Sequence, residues 1–481
     1  MGVRRTKIVA TLGPATSAPE TIEALILAGM DVARLNFSHG KAEDHAARVE
    51  LVRSIAQRHG RYVGIMGDLQ GPKIRIARFA EGKVQLQAGA PFTLCITHPR
   101  EAGTAEIVGL DYPSLPHECQ PGDELLLDDG RIVLRVDAVE GDSVYTTVVL
   151  GGELSDHKGI NRRGGGLSAP SLTEKDKQDI ELAARLGLDF LAVSFPRSGS
   201  DVEHARRLLR AAGSSAWLIA KIERAEAVAD DATLNSIIDA SDGVMVARGD
   251  LGVEVGDAEL VGIQKRIIRQ ARSRNKLVIT ATQMMESMIA SPLPTRAEVS
   301  DVANAVLDYT DAVMLSAETA SGRYPVAAVQ AMARVCLGAE KHPISSVSHH
   351  RLGQTFQRRD ETIALSAMYA ANHYPGIKAI VSLTESGHTP LIMSRIRSSV
   401  PIYAFSRNED TLLRMSMVRG VQAVAFDARS VALEALPEAV AVELMKRKVV
   451  EPGDWIILTR GELEAEAGGT NTMTILAVPE A

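Results

Sequence analysis

Residues 217–252 read WLIAKIERAEAVADDATLNSIIDASDGVMVARGDLG, and their pattern decides the fold. Two apolar runs, 217–220 and 243–247, show no alternation of polar and apolar residues. Unbroken runs of this kind belong to strands buried on both faces, the condition of a parallel sheet. A helix-like stretch lies between them, so the segment is one strand–helix–strand unit. Charge stands directly behind each run: Lys221 and Glu223 after the first, Arg248 and Asp250 after the second.

The same kind of run recurs at 7–12, 31–35, 62–67, 190–194, 277–280 and 312–315, which makes eight in all. Eight such strands alternating with helices predict an α/β protein built on a closed (β/α)8 TIM barrel. The helices are punctuated to match. Residues 18–28 stop at Gly29, 173–186 open on the capping pattern Thr173-Glu174-Lys175-Asp176 and stop at Gly187, and 260–275 carry apolar residues at helical spacing.

The runs are not evenly spaced. More than a hundred residues separate the third from the fourth. Within them 84–87, 92–96, 124–127, 132–136 and 144–149 alternate like half-exposed strands, broken by Pro121-Gly122-Asp123 and Asp129-Gly130. Residues 73–162 are therefore expected to form a small all-β domain inserted in a loop at the barrel's active face, as a lid, with Arg162-Arg163-Gly164-Gly165-Gly166 as its return hinge. The barrel takes 1–72 and 163–343. A polar stretch from Ser345 to Arg359 reads as a linker, and runs at 379–383, 401–405, 421–426, 455–459 and 473–478 alternate with helical segments. Residues 344–481 are thus expected to be a C-terminal three-layer α/β domain for regulation or assembly.

Composition agrees. A chain of 481 residues exceeds the roughly 100–200 residues of one domain. With 45% hydrophobic and 23% charged residues it is not a mostly disordered chain. Its net charge of −7 gives no electrostatic case for nucleic acid or an anionic membrane as a partner. No apolar run approaches the length of about 18 residues that marks a transmembrane helix. Cys95, Cys119 and Cys336 are far apart and form no C-x-x-C, which argues against a disulfide framework or a zinc thiolate site and for a reducing, cytoplasmic compartment.

In a (β/α)8 barrel the residues behind the strands carry function. Here they are Arg34, Asn36, Ser38 and His39 after the second run, Asp68 after the third, Lys221 and Glu223, Arg248 and Asp250, Thr282 after the seventh, and Ser316 and Glu318 after the eighth. Glu223 and Asp250 stand on neighbouring strand ends, a sparse oxygen pair that suits Mg²⁺ with the remaining ligands from substrate. Gly249 lets the backbone approach a substrate carboxylate. Lys221 is placed to stabilise charge on a transferring phosphoryl group or an enolate oxygen, and Arg34 and Arg75 to hold phosphate oxygens. The Thr282 and Ser316 hydroxyls can pass a proton through water. The residues imply a small phosphorylated carboxylate and Mg²⁺-assisted phosphoryl or enolate chemistry. A Mg²⁺-dependent enolate lyase or aldolase is the alternative, and it leaves the inserted domain unexplained. No Walker A pattern occurs, nor G-x-G-x-x-G after a strand. His39, His45, His98 and His157 are scattered and read mostly as surface residues.

Nine segments in order, TKIVATLGPAT (6–16), ARLNFSHG (33–40), GDLQGPKIR (67–75), AVSFPR (192–197), AKIERAEAV (220–228), VMVARGDLGVEV (244–255), ATQMMESMI (281–289), PTRAEVSDVANAV (294–306) and MLSAET (314–319), closely resemble the pyruvate kinase family. The resemblance covers essentially the whole chain. It implies phosphoryl transfer from phosphoenolpyruvate to ADP giving pyruvate and ATP, the last step of glycolysis, and a homotetramer. It implies that Arg34 binds substrate, that Lys221 stabilises the phosphoryl group and the enolate, and that Glu223 and Asp250 hold Mg²⁺ or Mn²⁺. Gly249, Asp250 and Thr282 would cradle the substrate carboxylate, Arg75 and Lys158 the nucleotide phosphates, and Ser316 and Glu318 would stand near the proton route.

One departure matters. Many members bind K⁺ through an Asn, a Ser, an Asp and a following Thr, with a Glu two residues before the arginine of the third-strand motif. Asn36, Ser38 and Asp68 are kept, but the next residue is Leu69 and the Glu position is Lys73. This resembles the K⁺-independent branch, in which the Lys73 ammonium supplies the charge and K⁺ is not required. In the C-terminal region Thr384-Glu385-Ser386-Gly387-His388-Thr389 resembles the family's effector phosphate loop, with Thr384, Ser386 and Thr389 as candidate donors. Glu385 and the run Glu462, Glu464, Glu466 count against fructose-1,6-bisphosphate, which leaves a sugar monophosphate or AMP bound elsewhere, or a domain that serves assembly alone.

Overall fold

The computed structural model describes residues 3–345, 355–461 and 469–480. Eight strands close into a parallel barrel: β1 (Lys7–Leu12), β2 (Val32–Asn36), β3 (Gly64–Asp68), β4 (Phe190–Val193), β5 (Trp217–Ile222), β6 (Gly243–Ala247), β7 (Leu277–Ala281) and β8 (Ala312–Leu315). Every expected strand is present, with its ends shifted by a residue or two. β5 runs on to Ile222, so Lys221 lies inside the strand rather than behind it. Alternate residues explain the unbroken hydrophobicity. Ile8 and Ala10 face the outer helices, whereas Val9, Val32, Met66 and Ile219 fill the barrel interior. The expected helix stops are real: Gly29 and Gly187 adopt φ of 119° and 61°, and Thr173 accepts the Asp176 N–H in a reciprocal capping box.

Between β3 and β4 stands a six-stranded sheet in the order Ile160–Arg162, Glu124–Leu127, Ile132–Glu140, Ser143–Leu150, Pro91–Cys95, Ile107–Gly109, beside a two-stranded ribbon of Lys83–Leu86 and Gly152–Ser155. It has its own core, which includes Phe92, Leu94, Leu125, Leu134 and Val136. The strands Ile107–Gly109, Gly152–Ser155 and Ile160–Arg162 do not stand out in the sequence, because three or four residues are too few to display a period of two.

The C-terminal sheet has five strands, ordered Val421–Ala425, Ile402–Ser406, Ile377–Leu383, Trp455–Gly461, Thr470–Ala477, all parallel except the last. It packs under the barrel floor. Leu391, Ile392, Met415 and Met417 join one apolar cluster with Val9, Met66 and Ile279 of the barrel interior. Polar contacts lock this junction. The Arg395 guanidinium forks onto both oxygens of Asp311 at the start of β8, each side chain 1% exposed. Tyr309 lies between the Arg272 and Arg419 guanidinium groups, each 4.2 Å from its ring centre. Among the described residues no helix is long and apolar enough to cross a membrane.

Candidate active site

The strands' C-terminal ends bring a row of alternating charges into one cleft. On β2, Arg34 donates to the Asp68 carboxylate at 2.7 Å and to Thr11 Oγ1 at 3.0 Å. The strand register forces this meeting, since Asn36 pairs with Asp68. On β5, Lys221 Nζ lies 3.3 Å from Asp68 Oδ1, 2.8 Å from Glu223 Oε1 and 2.7 Å from Ser194 Oγ. Glu223 also accepts the Phe195 N–H at 2.9 Å. Asp250 stands in the first turn of the helix Arg248–Val255, directly after β6, and receives the Lys73 ammonium at 3.0 Å.

Burial and charge compete at each group. Burial would raise Asp68, but Lys221 and Arg34 outweigh it and hold the carboxyl below its usual range. Burial would lower Lys221, yet Asp68 and Glu223 hold it well above the usual lysine range, so it stays charged at any working pH. Burial and the nearby Asp250 charge push Glu223 up, against the pull of Lys221. A buried carboxyl pushed up by the charge of a second carboxylate marks a place made for a cation. Among the described residues no cluster of three or more His, Cys, Asp or Glu stands ready for a metal, so a metal here relies on this oxygen pair. The pair fits Mg²⁺, which keeps waters and takes ligands from a phosphorylated substrate.

Beside this row the cleft opens to about 610 Å³, lined by Asp250, Gly249, Thr282 and Gln283 of the barrel, by Lys73 and Asp129 of the inserted region and by Arg163 just after it. Thr282 and Gln283 adopt φ of 66° and 54°, which turns Thr282 Oγ1 to accept the Gly249 N–H at 2.8 Å. On the inserted sheet Lys158 Nζ pairs with Asp128 at 2.7 Å, and Arg75 donates to the adjoining His157 carbonyl at 2.9 Å.

A family model of the pyruvate kinase barrel domain matches residues 3–329, and one of the pyruvate kinase alpha/beta domain matches 361–476. The chain belongs to the pyruvate kinase family. It is 58% identical over 476 residues to pyruvate kinase II of Salmonella typhimurium, with 99% of each chain covered. It is 56% identical to a pyruvate kinase of Haemophilus influenzae, covering 95% of this chain and 96% of that one. The crystal structure of a pyruvate kinase from Cryptosporidium parvum superposes with a TM-score of 0.90 at 34% identity, over 99% of this chain and 96% of the other. The activity is that of a pyruvate kinase, a phosphotransferase, and the lyase alternative is set aside.

Ser316 lies at the mouth. Glu318 is buried and accepts the backbone N–H of Ser316 at 2.7 Å and of Met285 at 3.2 Å, so it holds the loop that presents Ser316. Lys73 makes its ion pairs with Asp250 and with Asp129, the latter at 3.6 Å. It does not pair with Asp68, whose carboxylate is taken by Arg34 and Lys221, and Asn36 instead accepts the Ser38 N–H. Leu69 is buried in the apolar core. His45 is also buried, edge-on to Phe37, the exception among four histidines that read mostly as surface residues. In the C-terminal loop Thr384 caps the Gly387 N–H, and the Thr389 hydroxyl is buried against Thr470 at 2.7 Å. Ser386 lies in the bend between them, and Glu385 pairs with Arg407. Glu462, Glu464 and Glu466 lie outside the described residues.

Sequence reasoning missed Glu254. It lies four residues after Asp250 on the same helix and is 4% exposed. Its carboxylate accepts the Ala225 N–H at 2.8 Å, behind Glu223, and the Asn161 amide at 3.1 Å, while its carbonyl accepts Gly164 N–H at 3.0 Å. One side chain therefore ties the helix of Asp250 to the loop of Glu223 and to the strand returning from the inserted sheet. Burial pushes its carboxyl from 4.5 up to about 7. A folded-state value above the unfolded one means that ionisation weakens the fold as pH rises from about 4.5 past 7. Glu254→Gln keeps the shape and removes the charge. Its melting temperature is expected to gain on the wild type between pH 5 and pH 8, by an amount on the order of 3 kcal/mol at most. A melting difference that does not change with pH overturns this.

Proposed function

We propose that this pyruvate kinase works between the barrel mouth and the inserted sheet, with residues 73–162 as a lid on a barrel of 1–72 and 163–343, and 344–481 as the assembly and control domain of a homotetramer. Enzymes of this family use Mg²⁺, and here Glu223 and Asp250 would hold it, or Mn²⁺ in its place. When bound, it polarises phosphoryl and enolate oxygens as a Lewis acid.

The chain's own groups do the rest. Arg34 and Lys221 present fixed positive charge to phosphoenolpyruvate. Lys221, locked charged between Asp68 and Glu223, steadies the phosphoryl group in transfer and the enolate oxygen left behind. The Gly249 and Asp250 backbone and the Thr282 hydroxyl orient the substrate carboxylate. Arg75 and Lys158 bring the ADP phosphates down with the lid, and Lys158 exchanges Asp128 for a phosphate oxygen. The Thr282 and Ser316 hydroxyls relay a proton through water to the enolate, which becomes pyruvate.

The observation that carries the cation reading is the Lys73 ammonium 3.0 Å from Asp250. Burial would lower Lys73, but Asp250 and Asp129 hold it above its usual range, so its charge is permanent. Lys73 thus supplies from the lid the positive charge that K⁺ brings in other members, and K⁺ is not required. Pyruvate formation from phosphoenolpyruvate and ADP with Mg²⁺, in K⁺-free buffer and after adding KCl, tests this. The rates are expected to agree within about twofold, against the several kcal/mol that a missing charge in a dry site would cost. A rate that appears only with KCl overturns the Lys73 reading and leaves the enzyme intact.

Control by a phosphorylated metabolite belongs to the same proposal. The fructose-1,6-bisphosphate reading is disfavoured by Glu385 and by the buried Thr389 hydroxyl, so a sugar monophosphate or AMP would bind away from the 384–389 loop.

A further inference from the structure

The strand Ile160–Arg162 brings the chain back from the inserted sheet, and it is fastened to the two segments that carry Glu223 and Asp250. Asn161 Nδ2 donates to Glu254 Oε1 at 3.1 Å, and the Ala225 N–H donates to Glu254 Oε2 at 2.8 Å. The Gly164 N–H donates to the Glu254 carbonyl at 3.0 Å, and the Gly166 N–H to the Glu226 carboxylate. Glu254 stands one turn after Asp250 on the helix Arg248–Val255, and Ala225 follows Glu223 closely in the chain. Both Glu254 oxygens are thus spent on backbone or side-chain donors from two other segments. The side chain is buried behind the cleft, whose wall is made by Asp250, Gly252 and Val253 of the same helix. Whatever it does for the reaction, it does through the groups it holds.

The far ends of these contacts reach the cleft. Asn161 pairs with Leu126 across the inserted sheet, and the strand of Leu126 runs on to Asp128 and Asp129. Asp128 holds Lys158 at 2.7 Å, and Asp129 faces Lys73 at 3.6 Å. A shift of the sheet at Asn161 therefore moves the groups offered to the nucleotide. It also pulls on the carboxylate that fixes the loop of Glu223 against the helix of Asp250. We infer that Glu254 is a positioning residue that sets the spacing of the Glu223–Asp250 pair and passes the position of the inserted sheet to it. The inference rests on the reading that this pair holds the metal and that the sheet is a lid. By linkage, a nucleotide that draws the lid down and a cation between the two carboxylates each strengthen the binding of the other. What the two donors need from residue 254 is reach. A glutamine has it: its oxygen takes the Ala225 N–H, and its amide donates to the Asn161 side-chain oxygen once that amide turns over.

Binding of Mn²⁺ to the full chain without nucleotide, read from the electron paramagnetic resonance signal of the free ion, tests this apart from turnover. Glu254→Ala is expected to weaken Mn²⁺ binding about tenfold or more, the scale of losing a group that orients a metal ligand, and Glu254→Gln to stay within about threefold of wild type. A thermal melt shows which variants fold. Where Glu254→Ala does not, Glu254→Asp takes its place with the same expected loss, one methylene too short to reach both donors. Asn161→Ala cuts the contact on the lid side alone. It should leave Mn²⁺ binding within about twofold, raise KM for ADP about fivefold or more and leave KM for phosphoenolpyruvate nearly unchanged. A folded Glu254→Ala or Glu254→Asp that binds Mn²⁺ like wild type overturns the positioning role, as does a Glu254→Gln that binds as weakly as they do. Equal rises of both KM values in Asn161→Ala overturn the link to the lid. Glu223→Gln separates this inference from the reading beneath it. If that variant keeps wild-type Mn²⁺ binding, the metal assignment falls and the inference with it. If it loses Mn²⁺ while the Glu254 variants do not, the inference alone is overturned.

Discussion

Lys221→Met is expected to lower kcat by about a thousandfold or more, the scale set by removing a fixed charge from a developing oxyanion in a dry site. The ammonium is fully engaged on both sides. Asp68 and Glu223 flank it at 3.3 Å and 2.8 Å, and their side chains are 1% and 2% exposed. Removing it takes away the cation between them and leaves two buried carboxylates with less to balance them, at a stability cost of about 3–5 kcal/mol. Activity and fold must therefore be read apart. Lys221→Arg keeps the charge but cannot place a planar fork where one nitrogen now meets three oxygens, so it should keep most of the thermal stability and still lose most of kcat. Steady-state kinetics with a thermal melt of each variant checks this. A Lys221→Met enzyme within tenfold of wild type would remove Lys221 from the chemistry.

Under the proposal that Lys73 stands in for K⁺, Lys73→Glu is expected to make the enzyme K⁺-dependent. It sets a new carboxylate against Asp250 and Asp129, the two groups that the ammonium now balances. Without a monovalent cation the rate should fall about a hundredfold, the effect of close like charges of a few kcal/mol. KCl should restore a large part of it, and NaCl at equal ionic strength should restore less. A variant that loses nothing in K⁺-free buffer, or that KCl cannot rescue, contradicts the replacement of K⁺ by Lys73. The contact with Asp250 adds a second expectation. With its lysine partner gone, Asp250 is freer, and the Mg²⁺ concentration giving half-maximal rate should change in the same variant.

Much of this was legible in the sequence for one physical reason. Strands buried on both faces, such as β1 and β6, write themselves as unbroken apolar runs, and a barrel places whatever follows them at its mouth. Arg34, Lys221, Glu223, Asp250 and Thr282 could be gathered on that rule alone. What could not be read depended on contacts between segments far apart in the chain. Glu254 looks like an ordinary helix residue until Ala225 and Asn161 are seen to converge on it. The family resemblance implies Lys73 with Asn36, Ser38 and Asp68 around it. The charge balance of the folded cleft hands it to Asp250 and Asp129 instead. The buried Thr389 hydroxyl follows from its pairing with Thr470, which no local pattern announces.

The inserted sheet also has a bearing on how the chain reaches its fold. β3 and β4 are neighbours in the barrel, with Met66 opposite Phe190, although the whole insertion separates them. The two ends of that insertion are zipped together: Ile160 N–H donates to Ile74 O and Ile76 N–H to Lys158 O, each at 2.9 Å. Once the sheet has formed, the span that must close between β3 and β4 is shortened by nearly the whole insert, so part of the entropy of bringing them together has already been spent. On a chain emerging from its amino end, every strand of the sheet precedes β4, so the sheet is expected to form first and barrel closure to follow it. Substitutions that unsettle the insert should therefore slow the assembly of the barrel and lower the yield of native enzyme, even where the molecules that do fold turn over at the normal rate.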